Sequence, residues 1–354
     1  MCGQMRSSGS SSFDNIKSVM VPGAAAPAGV NTIKSLNLAN YKGKIIATDS
    51  NNLAVGFFMA TSHEVMPEVC DEEEYKKRLF EVVAKYGVQV LMPSSGFDIY
   101  EYSKYRQELQ EEYGAVAVVS DPKSLEICRD KALTFETLDG KFETPFTTRD
   151  PNKVKGFPVI AKPRLGKGSE DIFKVDDEKD LAYVTSKFEK DTMIFQEYLA
   201  GQEYTIDVLC DLDKKPLLAV PRIRLQTRGG ISTVGRIKRD KKLESECLRI
   251  AKHIGIRGPC CIQMKEISNE DPTPRLIEIN PRMGGGTIFT TLAGANFPSM
   301  ILQMVAGAKK LEMPKISEIT VARYFEEIII REPSVQNDRN KLLMLTDQTS
   351  RKRN

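Results

Sequence analysis

The sequence predicts an α/β unit built on a parallel sheet, followed by an α+β half. Three observations carry that expectation. Residues 17–120 alternate short apolar runs with amphipathic helical stretches, the pattern of a doubly wound sheet. Beyond about residue 121, apolar runs follow one another across glycine-bearing turns, which reads as antiparallel pairing. Near the end, LIEINPRMGGG (276–286) sets Glu278, Asn280 and Arg282 at alternate positions of a run that otherwise reads as a buried strand.

Taken in order, KSVMVPGAAAPAGVNTIKSLNLA gives a strand, a small-residue turn and a helix, and GKIIATDSN gives a second strand ending in Asp49. DEEEYKKRLFEVVAKYG places Leu79, Val82, Val83 and Tyr86 at helical spacing. VQVLMPSS and AVAVVSD are the next strands, so 17–120 form a Rossmann-like unit. Its first turn has Gly23 and Gly29 but not the full GxGxxG fingerprint, which argues against a nicotinamide cofactor although Asp49 stands where a ribose-binding acid is expected. DPKSLEICRDKALTFETL reads as one helix opened by Asp–Pro. Three β-rich segments follow (GFPVIAKPRLGKGSEDIFKV, TMIFQEYLAGQEYTIDVLCD and KPLLAVPRIRLQTRGGISTVGRI), then a helix at about 241–254 and a last strand pair, GPCCIQMKEI and PRLIEINPR.

Composition narrows the function. The 354 residues suffice for two or three domains, and 51 Lys plus Arg against 48 Asp plus Glu leave too small a surplus to argue for nucleic acid. Seven scattered cysteines without CxxC spacing fit buried residues in a reducing cytosol. Two histidines, His63 and His253, exclude a three-His metal site, and His253 is expected half-buried on an amphipathic helix. No apolar run approaches the ~18 residues of a membrane span. A cytoplasmic location without membrane partners is expected.

In an extended strand alternate side chains share a face. Ile277 and Ile279 are therefore expected in the core, with Glu278, Asn280 and Arg282 opposite them. The turn at 269–274 should bring Gln263, an isolated polar residue in CCIQM, opposite Glu278 or Asn280. A carboxylate and two amides make an oxygen-rich pocket suited to Mg²⁺ completed by phosphate oxygens and water. LGKGS (165–169) lies between β-like runs and fails the Walker pattern, yet Gly166, Lys167, Gly168 and Ser169 could present backbone N–H groups to phosphates beside Lys162.

In sequence order, Lys131 on a helix, Lys162-Pro163 through Ser169, Gln196-Glu197 with Glu203, Gln263, and Glu278-Asn280-Arg282 resemble the motif series of the ATP-grasp superfamily. NPRMGGG is most similar to the carbamoyl phosphate synthetase large-chain-like branch, with a single ATP-grasp unit here. The resemblance covers about 17–330. It implies a Rossmann-like pre-ATP-grasp domain at 17–120 and a two-subdomain ATP-grasp domain at 121–332 with its lid at about 155–200; residues 1–16, without the apolar core of a signal peptide, read as a disordered lead-in, and 333–354 as a polar tail.

The roles it implies are specific. Lys131 and Lys162 hold ATP phosphates under a lid containing Gly166, Gly168 and Ser169. Glu197, Tyr198 and Leu199 line the adenine pocket, chiefly by backbone, and Glu203 binds the ribose. Gln263, Glu278 and Asn280 carry two Mg²⁺ (or Mn²⁺) ions. Arg282 faces the γ-phosphoryl group, with Lys162 and Arg228 as further catalytic residues; Arg224 and Arg228 are candidates for the acyl phosphate or the substrate carboxylate. The reaction implied is ADP-forming ligation of a small-molecule or peptide carboxylate to an amine. The alternatives are a carboxyphosphate-forming enzyme and a non-catalytic ATP-binding regulator. Specificity is expected from PGAAAPAG, SSGFDIYEYS and the 224–235 loop, and homodimer formation stays open.

Overall fold

A computed structural model describes residues 13–166 and 170–330. Lys167, Gly168 and Ser169 of the glycine turn, and nearly all of the two expected tails, lie outside the described residues. One compact unit ends at Arg323 and a short second unit begins at Tyr324; the elements that follow belong to the first.

The first sheet is parallel: β1 (Ser18–Pro22), β2 (Lys44–Asp49), β3 (Ser62–Val65), β4 (Val90–Leu91) and β5 (Val116–Ala117), in the order β3-β2-β1-β4-β5. Every residue of β1 is buried, as a strand covered on both faces must be. On one face Val19 and Val21 pack with Ile33 and Leu36 of α1 (Pro27–Leu38). On the other, Met20 and Ile46 pack with Leu79, Val82 and Val83 of α2 (Glu72–Tyr86). α3 (Asp98–Lys104) and α4 (Arg106–Tyr113) complete this layer. The glycines of the first turn have a packing reason: a Cβ on Gly29 would overlap the carbonyl of Gly23, which itself has φ of +67°.

The helix expected across 122–138 is two, α5 (Pro122–Arg129) and α6 (Lys131–Leu138). Asp130 separates them in an extended conformation and caps α6 by accepting the N–H groups of Ala132 and Leu133 at 3.0 and 3.3 Å. Its other oxygen takes Arg164 Nε at 2.7 Å. A capping aspartate with a cation partner outweighs the continuous pattern around it.

The rest is antiparallel. β6 (Thr147–Thr148), β7 (Val159–Pro163), β8 (Phe173–Val175) and β9 (Met193–Glu197) form a small sheet covered by α7 (Glu178–Lys187). β10 (Glu203–Cys210), β11 (Pro216–Arg228), β12 (Ile231–Ile237), β13 (Pro259–Glu266), β14 (Pro274–Asn280) and β15 (Thr320–Ala322) form a six-stranded sheet ordered β14-β13-β10-β11-β12-β15. One of its faces takes Leu243, Cys247, Ile250 and Ile254 of α8 (Lys241–Ile254). α9 (Thr287–Leu292) and α10 (Phe297–Val305) join the core of α1. His253 is exposed at the end of α8 against Phe142, rather than half-buried, because the helix's apolar stripe passes it by.

The two halves are tied without a linker. Arg257, before β13, donates to the carbonyls of Ala117 at 2.6 Å and Leu212 at 3.0 Å, and burial lowers its pKa to about 10. Met283 N donates to Pro93 O at 2.8 Å, joining the end of the polar strand to the end of β4.

Candidate active site

Gln263 on β13 stands opposite Glu278 on β14, as the turn position predicts. The alternation on β14 is not regular. The register shifts so that Met264 faces Leu276, skipping Ile277. Leu276 and Ile279 enter the core, and Ile277, expected there, does not. The extra residue of a β-bulge turns the following side chains, and here it frees the Ile277 carbonyl to accept Lys162 Nζ at 3.3 Å. Glu278, Asn280 and Arg282 remain linked: Asn280 Nδ2 donates to Glu278 Oε1 at 2.8 Å, and Arg282 Nη2 to Asn280 Oδ1 at 3.3 Å.

On one side of this face lie the two lysines. Lys162 on β7 is 4% exposed and donates to Gln196 Oε1 at 2.9 Å. Burial lowers its pKa to about 8 against the opposing pull of Glu278, with Lys131 adding to the depression. Lys131, placed by the Asp130 cap, donates to the carbonyl of Gly166 at 3.1 Å, and burial lowers its pKa too. Glu197 ends β9 and binds Arg275 at 2.6 Å. The Tyr198 ring has the Lys174 and Lys265 ammonium groups 5.2 and 5.4 Å from its centroid, and Leu199 is buried. Glu203 pairs with Arg224.

On the other side is a cavity of about 670 Å³. Gln263, Glu278, Asn280 and Arg282 form part of its wall, and parts of the segments expected to set specificity (22–29, 94–103 and 224–235) line it as well. The parallel sheet contributes the carboxyl ends of its strands, the usual place for a ligand crevice. Arg224 lines this cavity, whereas Arg228 sits at the exposed end of β11.

Sequence reasoning missed Arg222 and Asp207, two charged side chains buried in the six-stranded sheet. Their groups lie 3.6 Å apart; Asp207 accepts the Thr290 hydroxyl at 2.6 Å, and Arg222 donates to the Ser232 hydroxyl at 3.1 Å. The lone Asp207 in TIDVLC carried the same kind of signal as Gln263 in CCIQM. This pair also accounts for the triglycine. A Cβ on Gly286 would overlap the Arg222 guanidinium, and one on Gly284 would come within 3.1 Å of Asp207 Oδ1. A Cβ on Gly285 would meet only Pro27, at 3.6 Å. Gly286→Ala should therefore destabilise by about 1–3 kcal/mol, while Gly285→Ala stays within about 0.5 kcal/mol of the parent. Denaturant unfolding of the two variants checks this; equal losses would contradict the packing account.

Comparison with known proteins agrees with this architecture. A family model described as ATP-grasp in the biosynthetic pathway with Ter operon matches residues 189–328. A D-alanine–D-alanine ligase of Pseudothermotoga lettingae is 31% identical over 110 residues, 29% of this chain and 36% of that protein. A carbamoyl phosphate synthase large chain of Clostridium perfringens is 29% identical over 142 residues, 36% of this chain but 13% of that protein. The matched stretch thus spans about a third or less of either relative. A Campylobacter jejuni biotin carboxylase structure superposes with a TM-score of 0.67 at 14% identity, covering 86% of this chain and 74% of that one. Residues 189–328 are thus similar to the ATP-grasp family, and the likeness in fold to solved structures extends over most of the chain.

Proposed function

We propose that the protein is an ADP-forming carboxylate–amine ligase that activates its carboxylate as an acyl phosphate. The observation that carries this reading is the Glu278–Asn280 face with Gln263 across from it, set between the buried Lys162 with the half-buried Lys131 and an arginine-lined cavity. Lys131 and Lys162 would hold the phosphate tail of ATP, whose negative charge offsets the cost of desolvating the two ammonium groups. Glu197 to Leu199 would line the adenine site and Glu203 the ribose site; reaching the ribose means releasing Arg224 from its ion pair.

The residues fit magnesium. Glu278 supplies the one carboxylate of this face and Gln263 and Asn280 supply amide oxygens, a hard donor set that phosphate oxygens and water complete. Asn280 would exchange its contact with Arg282 for the ion. Two such ions held there would neutralise charge on the phosphates. Arg282, released from Asn280, would then turn toward the γ-phosphoryl group, and Arg224 toward the substrate carboxylate. Arg228 would act only if the β11–β12 hairpin bends inward. A substrate carboxylate oxygen attacks the γ-phosphorus as ADP leaves. An amine then attacks the acyl carbon, phosphate departs, and the amine proton passes to solvent. Positioning and charge compensation suffice for such a transfer.

Titrating ATP with and without Mg²⁺ while following ADP release on a pool of carboxylates and amines tests the proposal. Mg²⁺-dependent ADP release that needs both pools supports it, and ATP binding without any turnover contradicts it.

Lys162 also gives the nucleotide a pH dependence. Its ammonium form is retained below about 8, and bound phosphate favours that form. Affinity for MgADP should therefore fall as pH rises through about 8, by up to about tenfold per unit beyond it. Lys162→Arg, charged throughout, should flatten the curve between pH 7 and 9. A profile equally steep in both proteins would assign the dependence to another group.

A further inference from the structure

The two halves of the chain bring different charged groups to the cavity, among them two aspartates from the parallel-sheet half, and three arginines with Glu278 from the six-stranded-sheet half. On the parallel-sheet wall, Asp49 ends β2 and Asp98 opens α3. Asp49 accepts the N–H groups of Ala25 at 2.7 Å and Asn51 at 2.9 Å, and Asp98 takes the Tyr75 hydroxyl on Oδ1. Among the described residues no cation pairs with either carboxylate. Burial pushes the Asp98 carboxyl above its usual range, and the nearby Asp49 charge adds to the effect. Across the cavity lie Arg282 and Arg224, with Arg222 beside them, 1% exposed and with its Nε unsatisfied. Two neighbouring carboxylates without a cation, facing guanidinium groups across one cavity, are complementary to a ligand positive at one end and negative at the other.

We propose that this cavity takes an amino acid, with its ammonium held by Asp98 and Asp49 and its carboxylate turned toward Arg224 and the γ-phosphoryl position beside Arg282. The direction of binding rests on the ligase reading, which puts phosphoryl transfer at the Glu278–Asn280 face. The same chemistry decides which amine the acidic wall serves. A carboxylate pair stabilises the protonated form of a bound amine, whereas an attacking amine must give up its proton. The wall therefore suits the spectator ammonium of the activated substrate, and the nucleophile enters elsewhere. Asp98 and Asp49 are thus specificity-determining residues supplied by the parallel-sheet half.

The test compares the twenty common L-amino acids with their N-acetyl counterparts, which keep the carboxylate and lose the positive charge. Calorimetry on the full chain with MgADP present measures binding, and ADP release with MgATP measures turnover. At least one free amino acid should bind, its N-acetyl form should not, and Asp98→Asn should weaken binding about tenfold or more with the MgADP affinity unchanged. Asp49→Asn, read in the same way, provides a second isosteric variant. Equal binding of the acetylated acids, no binding by either set, or an unchanged affinity in both variants would overturn the assignment. Selective binding of a free amino acid with no ADP release would uphold the cavity assignment while removing the ligase reading.

Discussion

Glu278→Ala should abolish Mg²⁺-dependent ADP release while leaving the protein folded. The expected loss is roughly 10³-fold, about 4 kcal/mol of transition-state stabilisation. Glu278 is half-buried, makes one hydrogen bond to Asn280, and supplies the sole negative charge of the proposed ion site. Its removal leaves the core positions Leu276 and Ile279 untouched. Steady-state ADP release at saturating substrates, with thermal unfolding in parallel, checks both halves of the expectation. Near-normal turnover would refute the metal role. Unfolding of Glu278→Ala, with Glu278→Gln folded and fully active, would make the carboxylate structural.

Arg222→Met should act in the opposite way, on stability first. It leaves the Asp207 carboxylate, 1% exposed, with Thr290 but without its cation. Breaking a buried pair from one side costs roughly 3–5 kcal/mol, because the remaining charge is stranded. The double variant Arg222→Met with Asp207→Leu should recover much of that loss, since the stranded charge is then gone. Denaturant unfolding of both single variants and the double variant measures the coupling. Additive losses would mean that the 3.6 Å pair carries no special interaction.

These two residues also mark what could be read from the sequence. Glu278, Asn280 and Gln263 were legible because each interrupts an apolar run, and a single turn sets them against one another. Glycine-bearing turns and apolar runs likewise announced the antiparallel half. The bulge at Ile277 was not legible: a register shift depends on which residue the partner strand offers, and the alternation rule assumes none. Asp130 hid inside a continuous helical pattern because its cation, Arg164, comes from β7. Arg222 and Asp207 sit on adjacent strands, and only the fold shows that α9 and the triglycine close over them. The two aspartates come from the carboxyl end of β2 and the segment after β4, on either side of β1, a consequence of strand order that composition does not encode.

In the proposed reaction the terminal phosphate of ATP passes to a carboxylate oxygen. Lys162, Lys131 and Arg282 surround the place proposed for the phosphate tail, so the γ-phosphoryl is the group whose charge is compensated in transfer. The most direct measurement uses a carboxylate substrate labelled with ¹⁸O and follows the label into the products. The expected products are ADP with ¹⁸O-labelled inorganic phosphate, and a hydroxamate when hydroxylamine replaces the amine. Substrate-dependent AMP and pyrophosphate, or phosphate free of label, would contradict it.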